Sequence, residues 1–212
     1  MSADATPRPE RPRLEPAAVV TEAVRLLDEQ GFDAVSMRAV ADRLGVRMNT
    51  VLWHIKSKAR LRELMADALI GEVSLTDLPQ DWEPRVRELF HRYRRALLAH
   101  RDGAAVVTGT YAPDPHTLRF ADELSGTLLG AGLGRRETSW AVWTLVYYTL
   151  GLVQEEQALP GAHRSGLHEA VTERDLPGLH RILDELDVLD FDERFDFGLT
   201  LLLTSLRQRA EV

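Results

Sequence analysis

The 212-residue sequence predicts an all-α protein, with an N-terminal three-helix unit containing a helix-turn-helix on a larger helical body. Three observations lead there. Apolar residues recur at helical spacing along most of the chain, and no alternating strand pattern competes. Gly and Pro interrupt that pattern where helices would stop and start. One segment, 36–60, sets Arg38, Arg43, Arg47, Lys56, Lys58 and Arg60 against a single acid, Asp42. Its formal balance is +5 in a chain of net charge −7, so the remainder stands at −12. An acidic protein with one concentrated basic segment has a local footprint for phosphate, not a general affinity for polyanions.

The elements follow in order. Residues 1–13 are polar and Pro-rich, and are expected to form a disordered tail in which Arg8, Arg11 and Arg13 could touch DNA. With no apolar core, they do not read as a secretory leader. The next helix, 14–29, carries Val19, Val20, Ala23, Val24, Leu26 and Leu27, with Pro16 suited to its first turn and Gly31 to its stop. Helices at 37–44 and 47–55 form the helix-turn-helix. Val40, Leu44, Val46 and Val51 make its seam, Ala41 marks the crossing, and Gly45 takes the left-handed turn. Ser57 caps a helix running to about residue 73. A loop at 76–82, a helix at 84–100, a short piece at 103–110 and a break at 113–115 come next. Helices at 116–129 and 136–157, a loop-like stretch at 160–178, a short helix at 179–186 and a final helix at 192–209 complete the chain. Domains are expected at 14–60, for DNA binding, and 61–212, for ligand binding and dimerisation.

Arg47, Asn49 and Thr50 fall at the start of the second reader helix, where side chains reach base edges. Arg reads guanine and Asn reads adenine, each by two hydrogen bonds, and Met48 suits a thymine methyl. Lys58, at a helix N-terminus, suits a phosphate. Arg38 belongs to the same basic face. The chain has no Cys, which removes disulfides and thiolate chemistry. Without a phosphate loop or a nucleophile–base arrangement, no catalytic residue, metal site or cofactor is expected, and an enzyme is not predicted. No apolar run approaches the length of a membrane span, and a cytoplasmic location is expected. Helices 136–157 and 192–209 each have more apolar surface than one subunit could cover, which predicts a homodimer.

The stretches LLDEQGFDAVSMRAVA, RLGV and RMNTVLWHIKSKARL together resemble the TetR family of bacterial transcriptional regulators. Two further stretches, ALLAHRDGAAVVTGT at 96–110 and YTLGLVQEEQ at 148–157, resemble the ligand-binding domain of the tetracycline-repressor-like branch. The resemblance implies phosphate contacts from Thr50, Trp53, His54 and Lys58, with packing the alternative for Trp53. It implies a pocket near Tyr93, Val107, Tyr111, Trp143 and Tyr147, with Glu123 and Glu155 as candidate polar anchors. It also marks departures. A His that helps hold the drug's magnesium in tetracycline repressors is matched here by Val107, an Arg by Tyr111, an Asn by Leu89 and a Gln by Glu123. An alkyl side chain cannot ligate a metal.

The expected function is a ligand-responsive repressor bound as a homodimer to a palindromic double-stranded DNA operator and released by a small, largely apolar or aromatic effector. Two alternatives stay open. One is a DNA-binding regulator whose pocket has filled in, by Trp143 among others. The other is an all-α ligand-binding protein or enzyme with no DNA role.

Overall fold

The structure is a computed structural model and describes residues 14–158, 166–186, 188 and 190–210. The expected tail at 1–13 lies outside these residues. Twelve α-helices and one short 3-10 turn are present among the described residues, with no strand. The first, α1 (Pro16–Gln30), opens with Pro at its first turn. It is followed by α2 (Met37–Arg43), α3 (Met48–Ile55) and α4 (Lys58–Gly71). The body is built from α5 (Trp82–Leu98), α6 (Gly103–Val107), α7 (Pro115–Gly130), α8 (Arg135–Ala158) and α12 (Phe191–Ala210). Three one-turn helices, α9 (Leu167–Ala170), α10 (Pro177–His180) and α11 (Leu183–Leu186), connect α8 to α12.

The turn of the helix-turn-helix is built as its sequence requires. Gly45 adopts φ 63°. Its N–H donates to the Asp42 carbonyl and that of Val46 to the Ala41 carbonyl, which closes α2 in a Schellman motif. Val40, Ala41, Val51 and Ile55 are almost fully buried beneath it. The side chains of Ser36 and Ser57 accept from the N–H groups of Ala39 and Arg60, capping α2 and α4.

Helix α4 packs on α1 and α3 on one side and on α5, α6 and α7 on the other. One core runs through both ends of the chain, from Val19 and Leu26 through Leu61, Met65 and Leu69 to Phe90, Leu124 and Leu199. Behind α4, Asp102 at the start of α6 accepts the Phe32 N–H at 2.8 Å. Beside it, His100 bridges Asp28 and Glu72 at 3.0 Å on each ring nitrogen. Gly103 is needed here because a Cβ would lie 2.2 Å from the Leu97 carbonyl oxygen.

Several boundaries differ from expectation. Helix α5 starts at Trp82, ahead of Pro84, because a proline in the first turn gives up an N–H that has no partner in the helix. The piece expected over 103–110 ends at Val107, and Gly109 then takes φ 78°. Two single turns, α9 and α10, lie in the stretch expected to be a loop; Pro177 supplies the first-turn residue of α10. The single helix expected over 179–186 is two, α10 and α11, and nothing in the structure explains the break.

Helix α5 is tied to the C-terminal half of the molecule by Arg94. Its guanidinium donates to Glu156 of α8 at 2.8 Å and to Asp192 of α12. The Arg94 side chain is buried while Asp192 is largely exposed. Arg94→Ala should therefore lower the urea unfolding free energy by roughly 1–2 kcal/mol, the scale of hydrogen bonds to charged groups, because the carboxylates it leaves behind reach solvent. A loss below a few tenths would show that the pair is solvated.

Candidate nucleic-acid interface and ligand cavity

Helix α3 is short and buries only its inner face, leaving Met48 and Trp53 exposed. Val51 and Ile55 are buried, whereas Arg47, Met48, Asn49 and Thr50 are exposed at its N-terminus. Arg47, the first residue of the expected helix, is the N-cap and lies one residue outside the observed one. Trp53 is 63% exposed. It therefore contributes little to packing, and its ring meets His54 edge-on at 4.8 Å and lies 5.5 Å from the Lys56 ammonium. Lys56 itself has φ 73° and donates from Nζ to the Trp53 carbonyl at 2.7 Å, closing the end of α3. Lys58 is exposed on the first turn of α4. The side chains from Arg47 to Thr50, with Trp53, His54 and Lys58, thus lie along α3 and the first turn of α4.

The basic footprint is narrower than the composition suggests. Arg43 is held by Glu22 and Glu29 of α1, which push its pKa up. Arg60 pairs with Asp114 at 2.6 Å and with Glu63 at 3.0 Å. Arg38 is exposed and sits 4.0 Å from Asp42. Of the six cations counted, Arg38, Arg47, Lys56 and Lys58 remain on the reader face.

The larger body encloses a cavity of ≈ 470 Å³ between α4, α5, α7 and α8, within the range of small-molecule sites. Tyr93, Val107, Tyr111, Trp143 and Tyr147 all line it. Trp143 stacks on Tyr147 at 5.5 Å and meets Tyr111 at 5.7 Å, forming an aromatic wall. Trp143 thus stands at the wall and does not fill the cavity. Val107 is 6% exposed and offers only methyl groups where a metal ligand would be needed. Leu89 is fully buried in the core.

Two expected anchors are elsewhere. Glu123 lies outside this cavity because Arg85 of α5 draws it to 2.7 Å, beside a separate polar cleft. Glu155 is exposed and does not line the cavity; its neighbour Gln154 does. The helical period explains this. Trp143, Tyr147, Gly151 and Gln154 share one face of α8, and Glu155 is turned about a quarter of a revolution away. That spacing was readable from Tyr147, seven residues before Gln154. Ile70, Thr117 and Phe120 also line the cavity. They had no distinguishing signal, because their role depends on how α4 and α7 pack.

Polar contacts link this cavity to α4. Arg62 donates to the carbonyls of Ala105 and Val106 at 2.8 and 3.0 Å, and to that of Thr108. A cation on the last carbonyls of a helix is favoured by its dipole. Asp67 of α4 accepts from the N–H and hydroxyl of Thr117 at 2.8 and 2.9 Å. With Arg60 on Asp114, three side chains of α4 grip the 105–117 stretch that forms one cavity wall.

A helix-turn-helix reader joined by one helix to a ligand-sized cavity defines a DNA-binding regulator of the one-component kind. Residues 19–65 match the family of bacterial regulatory proteins called tetR, and residues 75–210 match the tetracyclin repressor-like C-terminal domain. The chain belongs to the TetR family. It is 32% identical over 202 residues to the tetracycline repressor protein class A from transposon 1721 of Escherichia coli, covering 93% of this chain and 92% of the relative. A possible TetR family transcriptional regulator from Streptomyces coelicolor A3(2) superposes with a TM-score of 0.80 at 37% identity, covering 92% of this chain and 99% of the other. The ActR protein of Streptomyces coelicolor in complex with (S)-DNPA superposes with a TM-score of 0.86 at 25% identity, covering 93% and 98%. Among the described residues no helix is long and apolar enough to cross a membrane, and no cluster of potential metal ligands is found.

Phosphate contact by Lys58 is checked by salt dependence. Lys58→Ala should weaken DNA binding equally on all sequences and reduce the salt slope by about one unit. Arg43→Ala should leave the slope unchanged, because its charge is spent on α1. Arg47→Ala and Asn49→Ala should instead each lose roughly 1–3 kcal/mol of discrimination between operator and random DNA.

Proposed function

We propose that this chain is a ligand-responsive repressor of transcription, bound as a homodimer to a palindromic operator and released by a largely apolar or aromatic effector. The observation that carries this reading is the continuity of α4. Its first turn presents Lys58 beside the reader helix, and Ile70 near its other end lines the cavity. An effector that prefers a different shape of the 105–117 wall would act on α4 through Arg60, Arg62 and Asp67. Operator and effector then bind with unequal affinity to two arrangements, which is what linkage between sites requires. Such a protein acts in the cytoplasm, where its DNA is.

Dimerisation accounts for the outer face of α8 and α12. Trp140, Phe197 and Leu201 are each more than half exposed there. Two copies meeting on this face would place two readers about one helical turn of DNA apart, or a multiple of it. Leu202, by contrast, packs inward against the core. Leu201→Asp should therefore give a monomer that folds, read by sedimentation; a dimer of unchanged stability would place the interface elsewhere.

The effector reading is tested by operator release, using tetracycline and a panel of apolar aromatic compounds, each with magnesium and with chelator. Release by aromatic compounds regardless of chelator is expected. Release by tetracycline at micromolar concentration, abolished by chelator, would overturn the assignment. In Arg62→Ala, effector binding should persist while the effector concentration needed for release rises several-fold. An unchanged release curve would remove Arg62 from the coupling.

A further inference from the structure

The geometry points to an effector that is uncharged and offers an oxygen acceptor to the hydroxyl that Tyr93 presents to the cavity. This rests on the effector reading above, to which it adds the ligand's charge and its main polar contact.

The first observation is electrical. None of the residues lining the cavity carries a charge. The ionic side chains around it are already engaged. Arg62 is on the α6 carbonyls, Arg85 on Glu123, and Arg94 on Glu156 and Asp192. A carboxylate or ammonium entering this space would give up water and meet no counter-charge, a far larger loss than any hydrogen bond there could offset.

The second observation is a polar group without a partner. Tyr93 is 2% exposed, stacks on Phe120 at 5.1 Å and meets Phe90 edge-on at 6.1 Å. No hydrogen bond to its hydroxyl is found among the described residues. Burial alone accounts for the raised pKa of its phenol, which stays neutral and a donor. The threonines of the cavity have already committed their donors. Thr108 donates to the Ala104 carbonyl, Thr110 to that of Val107 and Thr117 to Asp67. Tyr111 and Tyr147 stand at the mouth, both more than half exposed. Tyr93 is therefore the deep donor still open to a ligand. The fully buried polar atoms without a partner are Arg94 Nε and Thr138 Oγ1 among the described residues, so the Tyr93 oxygen opens on the cavity, and a ligand that brings an acceptor to it gains over one that only displaces water from it.

Three planar probes separate these claims: anthraquinone, anthraquinone-2-carboxylate and anthracene, titrated against the dimer by quenching of tryptophan fluorescence. Anthraquinone should bind at least roughly ten-fold more tightly than its carboxylate. Tyr93→Phe keeps the ring and its stacking. It should weaken anthraquinone by roughly five- to ten-fold and leave anthracene within about two-fold. Equal affinity for the carboxylate, or equal losses for anthraquinone and anthracene in Tyr93→Phe, would overturn the proposal. So would failure of all three to bind. Gly151→Phe serves as the blocking variant, because Gly151 lines the cavity and a Cβ there meets no heavy atom within 4 Å. It should abolish quenching while operator binding persists; undiminished quenching would place the probes elsewhere and also overturn the proposal. Anthraquinone that binds in the expected pattern without releasing the operator supports this assignment and counts against release as the function.

Discussion

Everything in this molecule depends on α4 belonging to two bodies at once. A three-helix unit of this size buries too little apolar surface to be firmly stable alone. Helices α1 to α3 are completed by Leu61, Met65 and Leu69, which are fully buried and continue into the core around Phe90. The helix that stabilises the reader is thus the helix that closes the cavity. Its apolar seam fixes the position of α4 against both bodies, and its polar links fix direction. Arg60, Arg62 and Asp67 all reach toward the 105–117 wall, where α6 ends and Gly109 turns the backbone. A rearrangement of that wall therefore meets α4 at three charged side chains as well as through the apolar packing of α6 and α7 on it.

Much of this was legible in the sequence, for physical reasons that particular residues show. The α2–α3 turn was readable because Gly45 and the apolar seam around it act within a few residues of each other. The cap at Ser57 was readable for the same reason. The aromatic residues and Val107 were singled out through resemblance, not from their own spacing, and they line the cavity. What could not be read was pairing at long range. Arg43 and Arg60 counted as DNA-facing charge, yet their partners Glu22, Glu29 and Asp114 lie on other elements. Glu123 was assigned to the cavity and is claimed by Arg85, which is 38 residues away in sequence. Glu155 fell to a one-residue rotation on α8, an error that strict use of the helical period would have avoided.

The charge distribution has a complementary logic at the two sites. At the reader face, cations that are not consumed by α1 or by the 105–117 wall are left exposed beside α3, where phosphate is the natural partner. At the cavity, no lining residue carries a charge, and the lining polar residue buried most deeply is a neutral phenol. The same ion pairs do both jobs. Arg60 on Asp114 withdraws one charge from the reader face and anchors the cavity wall. The protein's acidic balance outside 36–60 then keeps nonspecific attraction to nucleic acid confined to the reader.

Helix α8 sets the remaining constraint. Its residues Trp143, Tyr147, Gly151 and Gln154 line the cavity, while Trp140 and Thr144 line a groove against Leu202 and Leu206 of α12. In the proposed dimer, that groove and the exposed Phe197 and Leu201 would be covered by the second copy. Displacing α8 to admit a ligand would then strip apolar contacts from the interface, at about 25 cal/mol for each Å² uncovered. The opposite wall has two parts. The five-residue helix α6 sets Ala104 and Val106 into the core, whereas the irregular backbone from Thr108 to Asp114 is held by side-chain hydrogen bonds that can exchange partners one at a time. In the proposed dimer, ligand-driven movement would meet least resistance in the 108–114 part of that wall, whose two ends are tied to α4 by Arg62 and Arg60.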